Sequence, residues 1–532
     1  MENNSPVSGE RLMVKGAVIL SAGAAATKIL SAVYRIPFQN IVGDIGFYIY
    51  QQVYPFYGIA VAMASAGFPV IVSKLYAERP SENVLFRAFL ALFPLCFSLF
   101  LFLFFGADWI ARKMGDGNLA PLIAAVAFPF LFVPFISLFR GYFQGMGNMV
   151  PTAVSQVAEQ TVRVGGILAA AALFANGKNL YAVGEGAAVA SAAGSLVCFL
   201  FLLFCFSRRK KGRKNRPEPA ASGDGVRPGT VLLHGLAATV CGMVPVIFQL
   251  IDNFQILPSL LAKGTDFDAA RAMKGVFDRG QPLVQIGIIL SVSVSSALVP
   301  IMAKMRSRGR EEEADKLARL AVQFSIAAGA AASVGLIMIM EPLNIMLFTN
   351  SAGTLPLRIL ALTVVFLAAN MAVTAVFQGM GNPLLPFYGV LAGIVAKIVF
   401  NAAFIRAFGI PGAALASNLA LATMSAFFFA ALKKRIKEDL FPKDFVFVLF
   451  RSLAAMAALV GALNALCGWL LPDSPVRLFS AFQSLFASFF GAFVFCFVLA
   501  RGKIFTKSEW LLVPFGEKLL RFLPKTDRGD SC

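Results

Sequence analysis

The sequence predicts an all-α integral membrane protein of about fourteen transmembrane helices: two six-helix lobes in parallel pseudo-repeat, followed by two C-terminal helices. Three observations carry that expectation. Of 532 residues, 58% are hydrophobic and only 14% charged, and mean hydropathy is +0.75, which is unlike a soluble domain of this length. Apolar runs of about 20 residues, bilayer length for a helix, recur along nearly the whole chain. The string Phe-Gln-Gly-Met-Gly-Asn occurs twice, at Phe143 to Asn148 and Phe377 to Asn382, each copy leading on through a proline, Pro151 or Pro383. A spacing of roughly 234 residues is too long for a solenoid unit and points to two related halves.

The first lobe, residues 1–206, holds spans near 13–36, 47–73, 88–106, 119–139, 152–174 and 182–206. A basic, Pro- and Gly-containing linker fills 207–229, with no core-forming run. The second lobe, 230–432, reads as spans near 231–253, 281–302, 317–340, 355–377, 384–404 and 412–432, and two further spans near 445–471 and 478–500 occupy 433–500. Between Phe254 and Asp278 lies the longest external connection, mixed in charge and suited to a short surface helix. The tail, 501–532, intersperses Trp510, Leu511, Phe515 and Leu519 with charges, the pattern of an interfacial helix on the inner leaflet.

Lys and Arg crowd alternate loops, among them Arg208 to Arg216, Lys304 to Arg310 and Lys433 to Lys437, whereas the turn from Pro37 to Gly46 has none. By the positive-inside rule both termini and the basic loops are cytoplasmic. The net charge of +19 then reflects attraction to anionic membrane lipids and requires no nucleic acid. The first span is too long for a signal-peptide apolar region, so no cleavage is expected. Seven scattered cysteines read as small buried hydrophobes, not as disulfides or metal ligands.

The repeat extends beyond the hexapeptide. Gly186 to Ser191 corresponds to Gly412 to Ser417, and at the hexapeptide spacing Arg163 falls on Lys397. An even number of helices per lobe makes the repeats parallel.

Absences narrow the chemistry. A single histidine, His234, nearly excludes catalytic triads and histidine-based metal sites, and no phosphate-cradling Gly-rich Lys-Ser/Thr loop occurs. No cofactor or metal site is expected. Energy must come from the membrane potential, a monovalent cation gradient or the substrate's own gradient.

What remains is a set of intramembrane charges, each costing about 2.5–3.5 kcal/mol at a helix centre and therefore needing a partner, a water-filled cavity or a function. Lys28 and Arg35 lie two turns apart on one face of the first helix. Glu159 and Arg163 are spaced i,i+4 on the fifth helix, the favourable order for an internal ion pair. Arg163 lies near mid-membrane, and Lys397 matches it with Gly393 instead of an acid at i−4. Asp278-Arg279 opens the eighth helix and Asp252 closes the seventh, as candidate gate ion pairs. The deep charges Lys28, Arg35, Arg163, Arg279 and Lys397 outnumber Glu159, and such a cavity suits an anionic substrate, phosphate above all.

The runs Thr27 to Arg35 and Phe139 to Gly145 resemble the SpoVB/YtgP branch of the multidrug/oligosaccharidyl-lipid/polysaccharide exporter superfamily, the MATE-like MOP exporters, over almost the full chain. Lipid II flippases are more distant relatives. The resemblance implies two lobes about a central cavity and alternating access. It also implies a monomeric flippase in the bacterial cytoplasmic membrane, carrying undecaprenyl-diphosphate-linked saccharide outward, with lipid II the favoured cargo. The same resemblance gives Lys28 and Arg35 a diphosphate-binding role, matches Asp278-Arg279 to an Asp-Arg pair, and assigns the last two helices a groove for the lipid tail. The flippases' arginine on the second helix has no counterpart between Phe47 and Ser73. Two alternatives stand: a cation-coupled drug antiporter, which would want free acids such as Glu159 and Asp252, and a lipid-carrier glycosyltransferase using the loop from Phe254 to Asp278. The polymer served, vegetative wall, spore cortex or another, stays open.

Overall fold

A computed structural model describes residues 29–175, 179–211, 228–382, 384–436, 439–470, 477–502, 504–506 and 509–510, with Gly23, Ala26 and Thr27. Lys28, most of the first span, most of the 207–229 linker and the tail beyond Trp510 lie outside the described residues. Those described are helical, without strands, and hold twelve helices long and apolar enough to cross a membrane. The expected all-α, multi-pass architecture is therefore present.

The chain packs as two units that divide between Asp278 and Arg279, not at the linker. In the first unit α1 (Arg35–Ala62) is broken at Gly43, whose φ of 69° turns the chain between two helices. A π-helical stretch, Met63–Gly67, joins α1 to α2 (Phe68–Glu78). Then follow α3 (Glu82–Phe105), the short α4 (Ala107–Lys113), α5 (Ala120–Ala127), α6 (Pro129–Gly145), α7 (Val150–Phe174) and α8 (Leu180–Lys211). The seventh span is split at Met243 into α9 (Pro228–Gly242) and α10 (Val244–Ala262). Asn253 in α10 donates to the backbone carbonyls of Gln51 and Gln52, both at 3.0 Å. That explains why this helix packs with the first unit.

The stretch expected as a long external connection is mostly helix: α10 runs on to Ala262, and α11 (Phe267–Asp278) follows after a short turn. α11 is the short helix expected here: Asp268, Ala269 and Met273 are exposed, while Lys274 and Asp278 on its other face are fully buried. It lies on the α1 break so closely that a Cβ on Gly275 would stand 2.0 Å from the Asp44 carbonyl oxygen.

The second unit contains α12 (Gly280–Ser307), α13 (Glu311–Phe348), α14 (Thr354–Ala361), α15 (Thr363–Gly379), α16 (Leu384–Phe408), α17 (Ile410–Lys433), α18 (Lys443–Leu470) and α19 (Arg477–Arg501). Side-chain amides stitch it together. Asn370 donates to the Leu421 carbonyl (3.1 Å), Asn418 to that of Ile359 (2.7 Å) and Asn464 to that of Met338 (2.8 Å). Lipid-facing positions stay apolar and exposed, as with Phe447, Phe450, Phe482 and Phe489.

The repeated hexapeptide forms the same turn twice. Gly147 and Gly381 have φ of 75° and 78°. Asn148 N donates to Phe143 O at 2.9 Å and Asn382 N to Phe377 O at 3.0 Å. This is a left-handed glycine cap closing α6 and α15.

Candidate functional site

Two buried arginines in the first unit share an aromatic surround. Arg163 in α7 is 1% exposed. It donates to Gln160 Oε1 (2.7 Å), the Tyr50 hydroxyl (3.1 Å), the Tyr34 hydroxyl (3.4 Å) and Ser31 Oγ (3.4 Å). Its guanidinium carbon lies 4.9 Å from the Tyr57 ring centre and 5.9 Å from that of Tyr54. Arg35 is fully buried at the start of α1, and its guanidinium carbon lies 4.3 Å from the Tyr54 ring centre. Tyr34 and Tyr50 join hydroxyl to hydroxyl. Tyr50, Tyr54 and Tyr57 follow i, i+4, i+7 on α1 and so form one helix face.

All three Arg35 guanidinium nitrogens lack a hydrogen-bond partner among the described residues. Buried guanidinium groups are ordinarily satisfied, because an orphaned charged donor costs more than the roughly 1–3 kcal/mol of a neutral one. Both amide atoms of Gln51 and of Gln52 on α1 are likewise buried without partners. The arrangement offers donors and cationic charge and suits an anionic ligand.

Glu159 does not pair with Arg163. It accepts from Arg140 Nη2 at 3.1 Å, from the Tyr57 hydroxyl at 3.2 Å and from Ser195 Oγ at 3.4 Å. Arg140, fully buried on α6, spends its other donors on Ser155 Oγ (3.1 Å), the Ala64 carbonyl (2.9 Å), Ser65 Oγ (3.0 Å) and Cys198 Sγ (3.1 Å). It ties α7, α8 and the π-helical stretch to α6. Ser137 on the same helix donates to the Met63 carbonyl at 3.3 Å. A π turn leaves carbonyls out of the α-helical ladder, and these two side chains supply the missing donors. The i,i+4 expectation fails because Arg140 approaches from a neighbouring helix, while Arg163 turns toward the tyrosines.

Asp252 does not close a helix; it sits inside α10 and is 3% exposed. Asp278 ends α11 and pairs within that helix with Lys274 at 2.6 Å, not with Arg279. Lys274 also donates to Asn253 Oδ1 at 3.0 Å. Burial pushes the Asp278 carboxyl up to about 6, against the pull of Lys274. Arg279 belongs to the second unit, where it donates to Asn350 Oδ1 at 2.8 Å and lies over the Phe348 ring at 5.2 Å. The expected Asp278–Arg279 gate pair is thus two separate contacts.

Lys397 is not an unpaired cation. It is fully buried and donates to Asn401 Oδ1 (2.9 Å) and Ser417 Oγ (2.7 Å). Ser417 belongs to the repeated Gly-Ala-Ala-x-Ala-Ser segment, which brings α17 against α16. Of the expected cations, then, the structure brings Arg35 and Arg163 together and holds Arg279 and Lys397 in their own unit's packing; Lys28 lies outside the described residues. Sequence reasoning missed the tyrosine face, legible from its i, i+4, i+7 spacing, and the hub role of Arg140, which no local spacing announces.

The second unit contains an apolar cavity of about 560 Å³ walled by α12, α13, α18 and α19, with Trp510 at its lining. Trp510 is 2% exposed. It is therefore packed inside the unit, while the rest of the tail expected as an interfacial helix lies outside the described residues.

The model of the polysaccharide biosynthesis protein family matches residues 13–306, and the MatE model matches 276–403. The uncharacterized membrane protein YabM of Bacillus subtilis (strain 168) is 37% identical over 97% of both chains. Stage V sporulation protein B of that organism is 26% identical over 76% of this chain and 81% of its own. The lipid II flippase MurJ of B. subtilis is 25% identical over 79% and 82%. Among solved structures, a lipid II flippase MurJ in an inward closed conformation superposes with TM-score 0.65 at 13% identity, covering 90% of this chain and 98% of its own. An inward-facing MATE family transporter of the MOP superfamily gives TM-score 0.58 at 17% identity, over 77% and 96%. The fold is the one shared by these MurJ and MATE structures.

Proposed function

Since the chain belongs to the polysaccharide biosynthesis protein family, we propose that it is a flippase that carries a lipid-diphosphate-linked saccharide from the inner to the outer leaflet by alternating access. The observation that carries this reading is Arg35: a fully buried guanidinium with no acceptor among the described residues, sharing the Tyr54 ring with Arg163. Two guanidinium groups on one aromatic floor suit a diphosphate, which offers several anionic oxygens at once. Tyrosine faces keep the cations stabilised between cargoes. The apolar cavity of the second unit suits the hydrocarbon tail of such a lipid.

Lipid II is the favoured cargo, because two of the relatives above are a lipid II flippase and a sporulation protein. The setting is the bacterial cytoplasmic membrane with both termini inside, and transport draws on the membrane potential or a monovalent cation. Of the two acids a cation-coupled drug antiporter would use, Glu159 and Asp252, the first is committed to Arg140, which disfavours that reading.

The test is reconstitution of the full chain in vesicles with lipid II, scoring its external accessibility. Arg35→Ala should cut transport by roughly 30-fold or more, the loss expected for about 2 kcal/mol of charge-assisted binding, while Arg35→Lys keeps part of it. Wild-type transport by a well-folded Arg35→Ala protein would remove the diphosphate site. Failure to rescue a strain lacking its lipid II flippase would point to another saccharide.

A further inference from the structure

The tail after α19 starts a helix by purely local signals. Thr506 N donates to Glu509 Oε2 at 2.7 Å and Glu509 N to Thr506 Oγ at 3.3 Å, the reciprocal bonds of a capping box. Phe505 and Trp510 hold the flanking staple positions, and their rings meet edge to face at 5.5 Å. Phe505 rests in turn on Phe324 of α13, at 6.5 Å between ring centres. Phe505, Thr506 and Glu509 thus fix where one indole sits.

That indole lines an apolar cavity of about 560 Å³. The lining runs along α13 from Phe324 to Ile339 and along α19 from Ala487 to Leu499, lengths of about 22 Å and about 18 Å at the helical rise. Small residues such as Ala328, Ala332 and Gly335 open the α13 wall, and none of the described lining residues is charged. Trp510, stapled to Phe505 beside Phe324, stands at the Phe324 end. An apolar cavity running that far along two membrane-spanning helices suits an extended hydrocarbon chain better than a compact solute.

We propose that Trp510 is a specificity-determining residue: its indole is the stop that sets how long a hydrocarbon chain the cavity takes from the transported lipid. The proposal rests on the lipid-linked transport reading above. Each added methylene gains packing contacts with the wall until the chain meets the indole, and a longer chain then clashes with it.

The full chain in vesicles would be offered lipid-diphosphate saccharides with one head group and increasing isoprene number. Trp510→Ala should shift the preferred chain by one or more isoprene units toward longer lipids, Trp510→Phe by less, and Ala331→Phe, which fills the channel, toward shorter ones. An unmoved optimum in folded Trp510→Phe and Trp510→Ala overturns the proposal. If Ala331→Phe moves the optimum, the cavity still holds the chain and only the role of Trp510 falls. A wild-type protein that moves none of these lipids overturns the transport reading itself. Labelling of α13 by a photoactivatable phospholipid in preference to a photoactivatable polyprenyl diphosphate also overturns the proposal, since the occupant is then an ordinary membrane lipid.

Discussion

Arg163 in α7 and Lys397 in α16 each stand thirteen residues beyond the first residue of their helix, and both are buried cations. Their surroundings differ. Arg163 is faced by tyrosines and shares one of them with a second, unsatisfied arginine. Lys397 is held by an asparagine one turn on and a serine of the next helix. Four of the nine tyrosines in the chain lie at 34, 50, 54 and 57, and the second unit has only Tyr388, so the aromatic surround cannot be duplicated there. The Arg140–Glu159 pair is also confined to the first unit, because Thr374 and Gly393 stand at the matching places. Acid and base are absent together, as expected when either alone would be a buried unpaired charge. The halves share a repeated turn and a register, while the tyrosine-faced arginines are found in one of them.

The largest test of that asymmetry is the hub. Arg140→Ala should destabilise by about 3–5 kcal/mol, since it leaves Glu159 buried and unpaired, whereas Thr374→Ala should cost less than about 1 kcal/mol. Unfolding in detergent measures both, and equal losses would mean the pair is not what braces the first unit. Adding Glu159→Gln to Arg140→Ala should recover part of the loss, because the orphan charge is then gone.

Next comes the matched cation pair. Arg163→Met should lower lipid-linked saccharide transport by roughly 30-fold, about 2 kcal/mol of lost binding. Lys397→Met should stay within about threefold of wild type, because an isosteric apolar side chain replaces a buried charge that serves packing. Similar losses in the two variants would restore the symmetric reading in which both cations meet the cargo.

Much of the fold was legible because its signals are local or periodic: bilayer-length apolar runs and the twice-written turn. The site was legible only in part. Arg35 and Arg163 stand out as charges in apolar helices. Their tyrosines were readable from a helical face but look like ordinary core. The partner of Glu159 was misread because sequence spacing favours the residue one turn away, while the structure chooses Arg140 from another helix, nineteen positions distant. Packing of α10 and α11 against α1 likewise depends on Asn253, Lys274 and Gly275 meeting groups more than 200 residues away in the chain, or on each other, and no local pattern encodes it. The capping box at Thr506 was written plainly in the sequence, yet an amphipathic pattern drew attention to the leaflet instead.

Where the halves are equivalent, substitutions should cost the same, and the two turn glycines provide that control. Gly147 and Gly381 both adopt the left-handed conformation, at φ 75° and 78°. A Cβ on either would meet nothing within 4 Å. The penalty for alanine is therefore backbone strain alone, about 1 kcal/mol at each site, with no packing term to separate them. Gly147→Ala and Gly381→Ala should lower stability equally, to within about 0.3 kcal/mol, and the double variant should show the sum. Asparagine, which tolerates this conformation better, should cost less than alanine at both. Neither change should alter chain-length or cargo preference, since the turns touch none of the buried cations. A marked inequality between the two alanine variants would show that the repeated turn has different work in each half, and the asymmetry would then extend from the site to the scaffold.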